Sequence, residues 1–209
     1  MESNSLQNFT SWILLPSLFT DVYQQVRACI PCQKFAGKQK LLSFPLKPIA
    51  VNAPFQQWGL DFIGEINPAS SGQHHWILTA IDFFIKWVEA IPMGNATDKV
   101  LIEFIEENIL SQFGCPQRLV TDNAKAFKSK AMVAFCEKNG IILKHSTPYY
   151  PQGNGQAASS NKNIIQSIKK MLKCNKRTWD SMLKYALWAD RITVKQVIGT
   201  SPFQLVYGT

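Results

Sequence analysis

The stretch Trp58-Gly59-Leu60-Asp61-Phe62-Ile63-Gly64 is a short apolar run with one carboxylate, Asp61, inside it. Its length and its branched and aromatic residues predict a β-strand. Two similar runs follow at residues 75–83 and 87–91, joined by short polar links such as Gly72-Gln73. Three strands with short links predict an antiparallel meander.

After the meander, the pattern changes to alternating helices and strands. Short apolar runs predict strands at 118–122 and 141–145, and the first of these is reached through a helix, so we expect it to lie parallel to its neighbour. The chain is therefore predicted to be α/β, with a mixed five-stranded sheet flanked by helices. Apolar residues at helical spacing predict helices at about 97–114, 129–139, 156–173 and 179–194. The last of them carries apolar residues that are predicted to lie mostly in the core, namely Trp179, Met182, Leu183, Ala186, Leu187 and Ile192.

The composition indicates a folded chain with a polyanionic partner. Apolar residues make up 46% of the 209 residues, which is enough to bury a core. The formal net charge is +8, and it is unevenly distributed. Residues 53–122 carry three basic and nine acidic side chains, whereas residues 123–177 carry eleven basic and one acidic. This basic half predicts a polyanion-binding surface, with a merely solvated helix face as the alternative.

The sequence argues against a membrane protein and against a disulfide-stapled one. No apolar run approaches the roughly 18 residues that span a bilayer, and residues 1–10 lack the basic side chains of a secretory signal. Five cysteines are too few and too scattered for a disulfide framework. We therefore expect no membrane partner and a reducing, intracellular compartment.

Asp61 and Asp122 are the candidate catalytic and metal-binding residues. Asp61 lies inside an apolar strand, and Asp122 ends the apolar run Leu119-Val120. A carboxylate in such a place is costly unless it is paired or bound to a metal, although a structural, hydrogen-bonded aspartate is the alternative for either residue alone. Phosphoryl transfer on nucleic acids uses carboxylates that hold divalent metals, and Mg²⁺ prefers such hard oxygen ligands.

Three strings in the chain resemble the integrase core of retroviruses and retrotransposons. The resemblance covers residues 11–209 and is strongest to gypsy-type long-terminal-repeat elements. It implies a ribonuclease H-like fold, a Mg²⁺ or Mn²⁺ site built from Asp, Asp and Glu, DNA strand transfer, a homodimer or higher homo-oligomer, and a nuclear location. The strings are Gly59-Leu60-Asp61-Phe62-Ile63-Gly64, Val120-Thr121-Asp122-Asn123 and His145-Ser146-Thr147-Pro148-Tyr149-Tyr150-Pro151-Gln152-Gly153-Asn154-Gly155-Gln156-Ala157.

The chain departs from this family at the third acidic position. Asp61 and Asp122 match the first and second Asp, but the family's Glu, with 35 residues between it and the second Asp, falls on Ala158. Alanine offers no oxygen to a metal, and the neighbouring Ser159 points about 100° away around a helix. We therefore expect a weakened metal site and little or no strand transfer. The alternatives are a non-enzymatic nucleic-acid-binding or dimerisation module, and a residual metal-dependent nuclease that uses the two aspartates alone.

Cys29-Ile30-Pro31-Cys32 is similar to the cysteine pair of the family's zinc-binding His-His-Cys-Cys module. Cys29 and Cys32 are at most half of a tetrahedral zinc site, because all three histidines of the chain come later in the sequence. A dithiol without zinc is the favoured interpretation. The expected organisation is a truncated zinc-binding segment at 1–33, a linker at 34–50 and a catalytic core at 51–209 that continues beyond the end of the chain.

The predicted long helix and the loop before it carry candidate DNA-binding residues. Lys162 lies one helical turn beyond Ala158 and faces the same way, and the family's helix carries lysines that contact DNA beside the metals. Glycines in the loop would let backbone amides approach phosphates. Simple solvation of a surface helix is the alternative. The candidates are Asn123, Lys125, Asn154, Lys162, Lys169, Lys170 and Lys173.

Overall fold

The computed structural model describes residues 17–30, 51–146, 155–172 and 175–208. The chain divides into two compact units, Met1–Pro48 and Ile49–Thr209. In the first unit, helix α1 (Leu18–Ala28) presents exposed apolar side chains, including Phe19 and Tyr23. Cys29, directly after α1, is partly buried, whereas its predicted zinc partner Cys32 lies outside the described residues. Among the helices that the structure describes, none is long and apolar enough to cross a bilayer.

The second unit is built on a mixed five-stranded sheet with the spatial order β3-β2-β1-β4-β5. The first three strands form an antiparallel meander, and β4 and β5 add to β1 in parallel. This confirms the predicted fold class, including the parallel strand after the helical crossover. The strands are β1 (Gln57–Ile63), β2 (Trp76–Asp82), β3 (Val88–Met93), β4 (Arg118–Thr121) and β5 (Ile142–His145).

In the described part of this unit, five α-helices of six or more residues follow the meander. Thr97 caps the first helix through its side chain, and Ser129 caps the second in the same way. The first continues through a π-helical turn at Glu106–Leu110 to Phe113. The helices are α2 (Asp98–Ile105), α3 (Lys130–Lys138), α4 (Gly155–Met171), α5 (Trp179–Ile192) and α6 (Pro202–Tyr207).

The end of the chain differs from the prediction in two ways. Helix α5 stops two residues early at Ile192, and this side chain is 47% exposed, so it is an exception among the side chains predicted to lie mostly in the core. The short helix α6 was missed. It begins with a capping box between Ser201 and Gln204 and ends at Gly208, whose φ of 72° suits a residue without a Cβ.

The sheet is covered on both faces, which fixes its central strands. Helices α2 and α3 pack on one face around residues such as Leu101 and Phe104, and α4 and α5 pack on the other around Ile164 and Trp179. Each fully buried side chain of this kind contributes about 1.5–3 kcal/mol. Strands β1 and β4 are thereby held side by side. This packing fixes the positions of the residues near the carboxyl ends of the two strands.

Candidate functional site

The strand register brings Asp61 and Asp122 to the same level of the sheet. Gly59 of β1 lies opposite Val120 of parallel β4, and each aspartate comes two residues further along its strand. In parallel neighbours, equal steps along the chain keep residues adjacent and on the same face. Both aspartates are partly buried, and the charge of Asp122 acts on Asp61. The structure therefore brings the two predicted metal ligands together.

Asp61 is held by a hydrogen-bond network that reaches helix α4. Its Oδ1 accepts from the backbone N–H of Phe62 at 2.9 Å, and its Oδ2 accepts from Nδ2 of Asn161 at 2.9 Å. The Thr79 hydroxyl lies 2.9 Å from Oδ1 of Asn161 and 3.1 Å from the Asp61 carbonyl oxygen, so its one proton is shared between two acceptors. Asn161 and Thr79 are buried, which fixes the orientation of the carboxylate.

The environment of Asp61 favours its protonated form. Burial is the largest cause and raises the pKa of Asp61 to about 6 from its ordinary value of 3.8. The negative charge of Asp122 raises the pKa further, whereas the hydrogen bonds from Phe62 and Asn161 lower it. At neutral pH the carboxylate is therefore ionised but destabilised, a state that a bound cation relieves.

Asp122 is positioned by the turn that follows β4. Its Oδ1 accepts from the backbone N–H of Ala124 at 2.9 Å, which is an Asx turn. Its carbonyl oxygen lies 2.9 Å from the Thr121 hydroxyl and 3.3 Å from Nδ1 of His145. Asn123 donates from Nδ2 to the carbonyl oxygen of Ser146 at 2.7 Å. These bonds join the ends of β4 and β5, and none of them uses Oδ2 of Asp122.

The structure describes five of the seven predicted DNA-binding residues. Asn123 and Lys125 are exposed beside Asp122, although the amide of Asn123 is engaged by the bond to Ser146. Two of the other candidates, Asn154 and Lys173, lie outside the described residues. The remaining candidates are exposed on α4, at Lys162, Lys169 and Lys170.

Sequence reasoning missed Asn161 and Thr79. Position 158 belongs to α4, and Asn161 follows it by three residues, so the two positions share a helix face. The available signal was a polar residue on a helix face that otherwise carries Ile164 and Ile168. Thr79 gave no signal, since threonine is ordinary in a strand.

The donor set of the site fits one divalent cation. Asp61 and Asp122 offer the hard oxygens that Mg²⁺ and Mn²⁺ prefer, and Mg²⁺ keeps several of its waters. Within the described ranges, no group of three or more His, Cys, Asp or Glu could hold a metal. Two carboxylates are fewer than a two-metal site ordinarily uses.

Comparison with known proteins finds a family similar to the region that contains the two aspartates. Residues 51–151 match the family described as Integrase core domain. The Gag-Pol polyprotein of baboon endogenous virus (strain M7) is 31% identical over 197 residues, 93% of this chain and 11% of that protein. The Gag-Pol polyprotein of avian reticuloendotheliosis virus is 33% identical over 156 residues, 75% of this chain and 13% of that protein. The chain thus spans a small part of the length of these curated relatives.

Two solved structures have a similar fold. A chain of the simian T-cell lymphotropic virus intasome in complex with PP2A regulatory subunit B56 gamma superposes with a TM-score of 0.67 at 20% identity, over 90% of this chain and 66% of that one. The HTLV-2 integrase catalytic core domain in complex with magnesium (trimeric form) superposes with a TM-score of 0.58 at 24% identity, over 72% of this chain and 95% of that one. These likenesses confirm the ribonuclease H-like integrase fold.

Proposed function

We propose, from the match of residues 51–151 to the family described as Integrase core domain and from the similarity to retroviral polyproteins, that the protein is a DNA-binding integrase core of the retroviral type. We further propose that its strand transfer is impaired by Ala158. The observation that carries this proposal is the hydrogen bond from Asn161 to Asp61. Asn161 belongs to α4 and follows position 158 by three residues, so in a regular helix the two positions share the face that meets Asp61. The position that would supply a third carboxylate is occupied by alanine.

The residues of the site have separable roles in this proposal. Asp61 and Asp122 would hold Mg²⁺ or Mn²⁺, which supplies Lewis-acid polarisation of a phosphate oxygen when bound. Asn161 orients Oδ2 of Asp61 and favours its ionised form. Because the pKa of Asp61 is about 6, its carboxylate is ionised and can bind a cation at neutral pH. In acid it is protonated and cannot. Support for the cation comes from the similar fold of an integrase core in complex with magnesium.

DNA is the proposed partner of the basic surface. Lys125, Lys162, Lys169 and Lys170 are exposed, and residues 123–177 carry eleven basic side chains against one acidic. Each phosphate that such a side chain neutralises releases counterions, so binding should weaken steeply as salt rises. Asn154 and Lys173 belong to the same proposal. Action on chromosomal DNA would place the protein in the nucleus. The string around His145 supports a gypsy-type origin.

Helix α5 supports a homodimer or higher homo-oligomer. Tyr185, Trp188 and Ile192 recur at helical spacing along α5 and are 46%, 62% and 47% exposed. A contiguous apolar face of this kind is typical of an association surface. One similar fold is found in an intasome and the other in a trimeric form.

A strand-transfer assay on oligonucleotide ends with Mg²⁺ or Mn²⁺ tests the proposal. The full chain is compared with Ala158→Glu and with the matched control Ala158→Gln. The glutamine side chain has nearly the same size as glutamate and carries no charge. We expect strand transfer from the Glu variant only. Strand transfer by the unaltered chain at the level of the Glu variant would refute the impairment.

A residual nuclease is the second candidate, because the structure retains both aspartates in register. It predicts Mn²⁺-dependent cleavage by the unaltered chain that Asp61→Asn abolishes. DNA binding that is salt-dependent but independent of metal, without any cleavage, would favour a non-enzymatic binding module instead.

A further inference from the structure

His145 and Thr121 make a polar contact next to the backbone of Asp122. The two residues are direct partners across the parallel strands β5 and β4, and Nδ1 of His145 lies 2.8 Å from the Thr121 hydroxyl. That hydroxyl lies 2.9 Å from the carbonyl oxygen of Asp122. Thr121 is fully buried and His145 is partly buried, which restricts the movement of both side chains. A continuous set of polar contacts therefore joins the imidazole to the backbone of a proposed metal ligand.

We propose that His145, acting through Thr121, is a positioning residue for the cation site. The inference rests on the proposed function, since it concerns the cation that Asp61 and Asp122 would hold. It adds to that function two side chains that do not touch the cation and that hold the Asp122 carboxylate in place. This support matters more in a site with Ala158, because a misplaced Asp122 leaves a single carboxylate for the cation.

The hydrogen bonds among these three residues run in one direction. Thr121 has a single hydroxyl proton, which it donates to the Asp122 carbonyl oxygen, and its own oxygen accepts from Nδ1–H of His145. In the reverse arrangement the hydroxyl donates to Nδ1, and the Asp122 carbonyl oxygen then receives a hydrogen bond from neither side chain. The first arrangement satisfies all three atoms, so it assigns the proton of the neutral ring to Nδ1.

These bonds act on Asp122 at two levels. The bond from Thr121 fixes the direction of the Asp122 carbonyl and therefore the peptide plane that follows it. The N–H of Ala124, two residues further on, donates to Oδ1 of Asp122 at 2.9 Å and fixes the side chain. Because this N–H reaches Oδ1 only while the peptide planes between them keep their orientation, loss of the His145 contact should loosen the carboxylate. Groups that orient a metal ligand in this way ordinarily change metal affinity by about 10–100-fold.

The sheet separates the imidazole from the carboxylates, which excludes His145 as a metal ligand. Leu119, two residues before Thr121, packs in the core between the sheet and helices α2 and α3. Val120, two residues before Asp122, packs in the core on the side of α4 and α5. Successive side chains of a strand point to opposite faces. Thr121 and its cross-strand partner His145 therefore lie on the α2 side, whereas the Asp122 carboxylate lies on the α4 side.

Binding of Mn²⁺ to the full chain, followed by electron paramagnetic resonance, tests the inference. His145→Phe and Thr121→Val remove the imidazole N–H and the hydroxyl while nearly keeping the side-chain size, and each should weaken Mn²⁺ binding about tenfold or more. His145→Asn should recover most of the affinity, because its Nδ2, like Nδ1 of histidine, is bonded to Cγ and carries a hydrogen. Thr121→Ser should do the same, because it keeps the hydroxyl.

The outcomes separate the inference from the proposed function. Unchanged Mn²⁺ affinity in both His145→Phe and Thr121→Val would overturn the inference and leave the proposed function intact. No Mn²⁺ binding by the unaltered chain would overturn the proposed cation site and the inference together.

A control variant distinguishes positioning from general stability. Leu143→Ala removes an apolar side chain from the same strand pair, opposite Leu119, so it should lower the unfolding free energy and leave Mn²⁺ affinity unchanged. An equal loss of Mn²⁺ affinity in Leu143→Ala would show that any loosening of β5 weakens the site, and the inference would be wrong.

Amide hydrogen exchange of the metal-free protein gives a second readout. The Ala124 N–H, which donates to Asp122, should exchange faster in His145→Phe than in the unaltered chain and at the original rate in His145→Asn. Equal exchange of Ala124 in His145→Phe and the unaltered chain would contradict the inference. If His145→Phe does not fold, the comparison of Thr121→Val with Thr121→Ser decides by the same criteria.

Discussion

Replacing Asp61 by asparagine is expected to stabilise the metal-free protein at neutral pH. Burial is the main reason that the pKa of Asp61 is raised from 3.8 to about 6. A group whose pKa is raised on folding contributes stability that is fully present below its unfolded pKa. That contribution is lost as the pH rises through the folded pKa, here between about 4 and 6.

The size of this stabilisation follows from the shift in the pKa of Asp61. Two pKa units correspond to about 3 kcal/mol of unfolding free energy when the group is fully shielded. Because the Asp61 side chain is partly exposed, we reduce the expected effect to roughly 1–2 kcal/mol. Asparagine retains an oxygen that can accept from Asn161 or Phe62, so the local hydrogen bonding is largely kept.

Urea unfolding of the chain and of Asp61→Asn in EDTA, at pH 4 and at pH 8, measures this difference. The unfolding free energy of the variant minus that of the unaltered chain should be about 1–2 kcal/mol larger at pH 8 than at pH 4. Asp122→Asn is the matched control. It removes only the repulsion between the two carboxylates and should show a smaller change. An advantage that is the same at both pH values would refute a raised pKa at Asp61.

Three further predictions concern the surroundings of the site. Asn161→Leu should raise the pKa of Asp61 above about 6, since it removes a hydrogen bond to the ionised form, and an unchanged NMR titration would contradict this. Arg191→Ala should lower the unfolding free energy by about 3 kcal/mol, because it leaves buried Glu89 without its cation. If urea unfolding shows a loss near zero, the Arg191–Glu89 pair contributes nothing to stability. Lys162→Ala should reduce the salt slope of DNA binding by about 1, and an unaltered slope would mean that this lysine meets no phosphate.

The sheet and the aspartate pair could be predicted because their signals are local. Apolar runs of strand length gave the meander, and the helix before residue 118 indicated a parallel strand. Once β1 and β4 are parallel neighbours, Asp61 and Asp122 meet by register alone. The exposed lysines of α4 followed from charge counting.

The parts that the sequence did not reveal depend on contacts between distant residues. Asn161 became part of the site because α4 turns that face towards β1, and helical periodicity does not specify which strand a face meets. Asp82 is fully buried and accepts a hydrogen bond from the N–H of Phe55, 27 residues away, so its structural role was invisible. Helix α6, by contrast, had a readable signal in Ser201-Pro202 and Gln204 that was overlooked.

Binding of Mn²⁺, followed by electron paramagnetic resonance, tests most directly whether the site lacks its third carboxylate at position 158. The titration compares the full chain with Ala158→Glu and the control Ala158→Gln. We expect the Glu variant to bind Mn²⁺ about tenfold tighter or more, as is usual when a metal site gains a supporting group, and the Gln variant to match the chain. Equal Mn²⁺ affinity of the chain and the Glu variant would contradict the central claim.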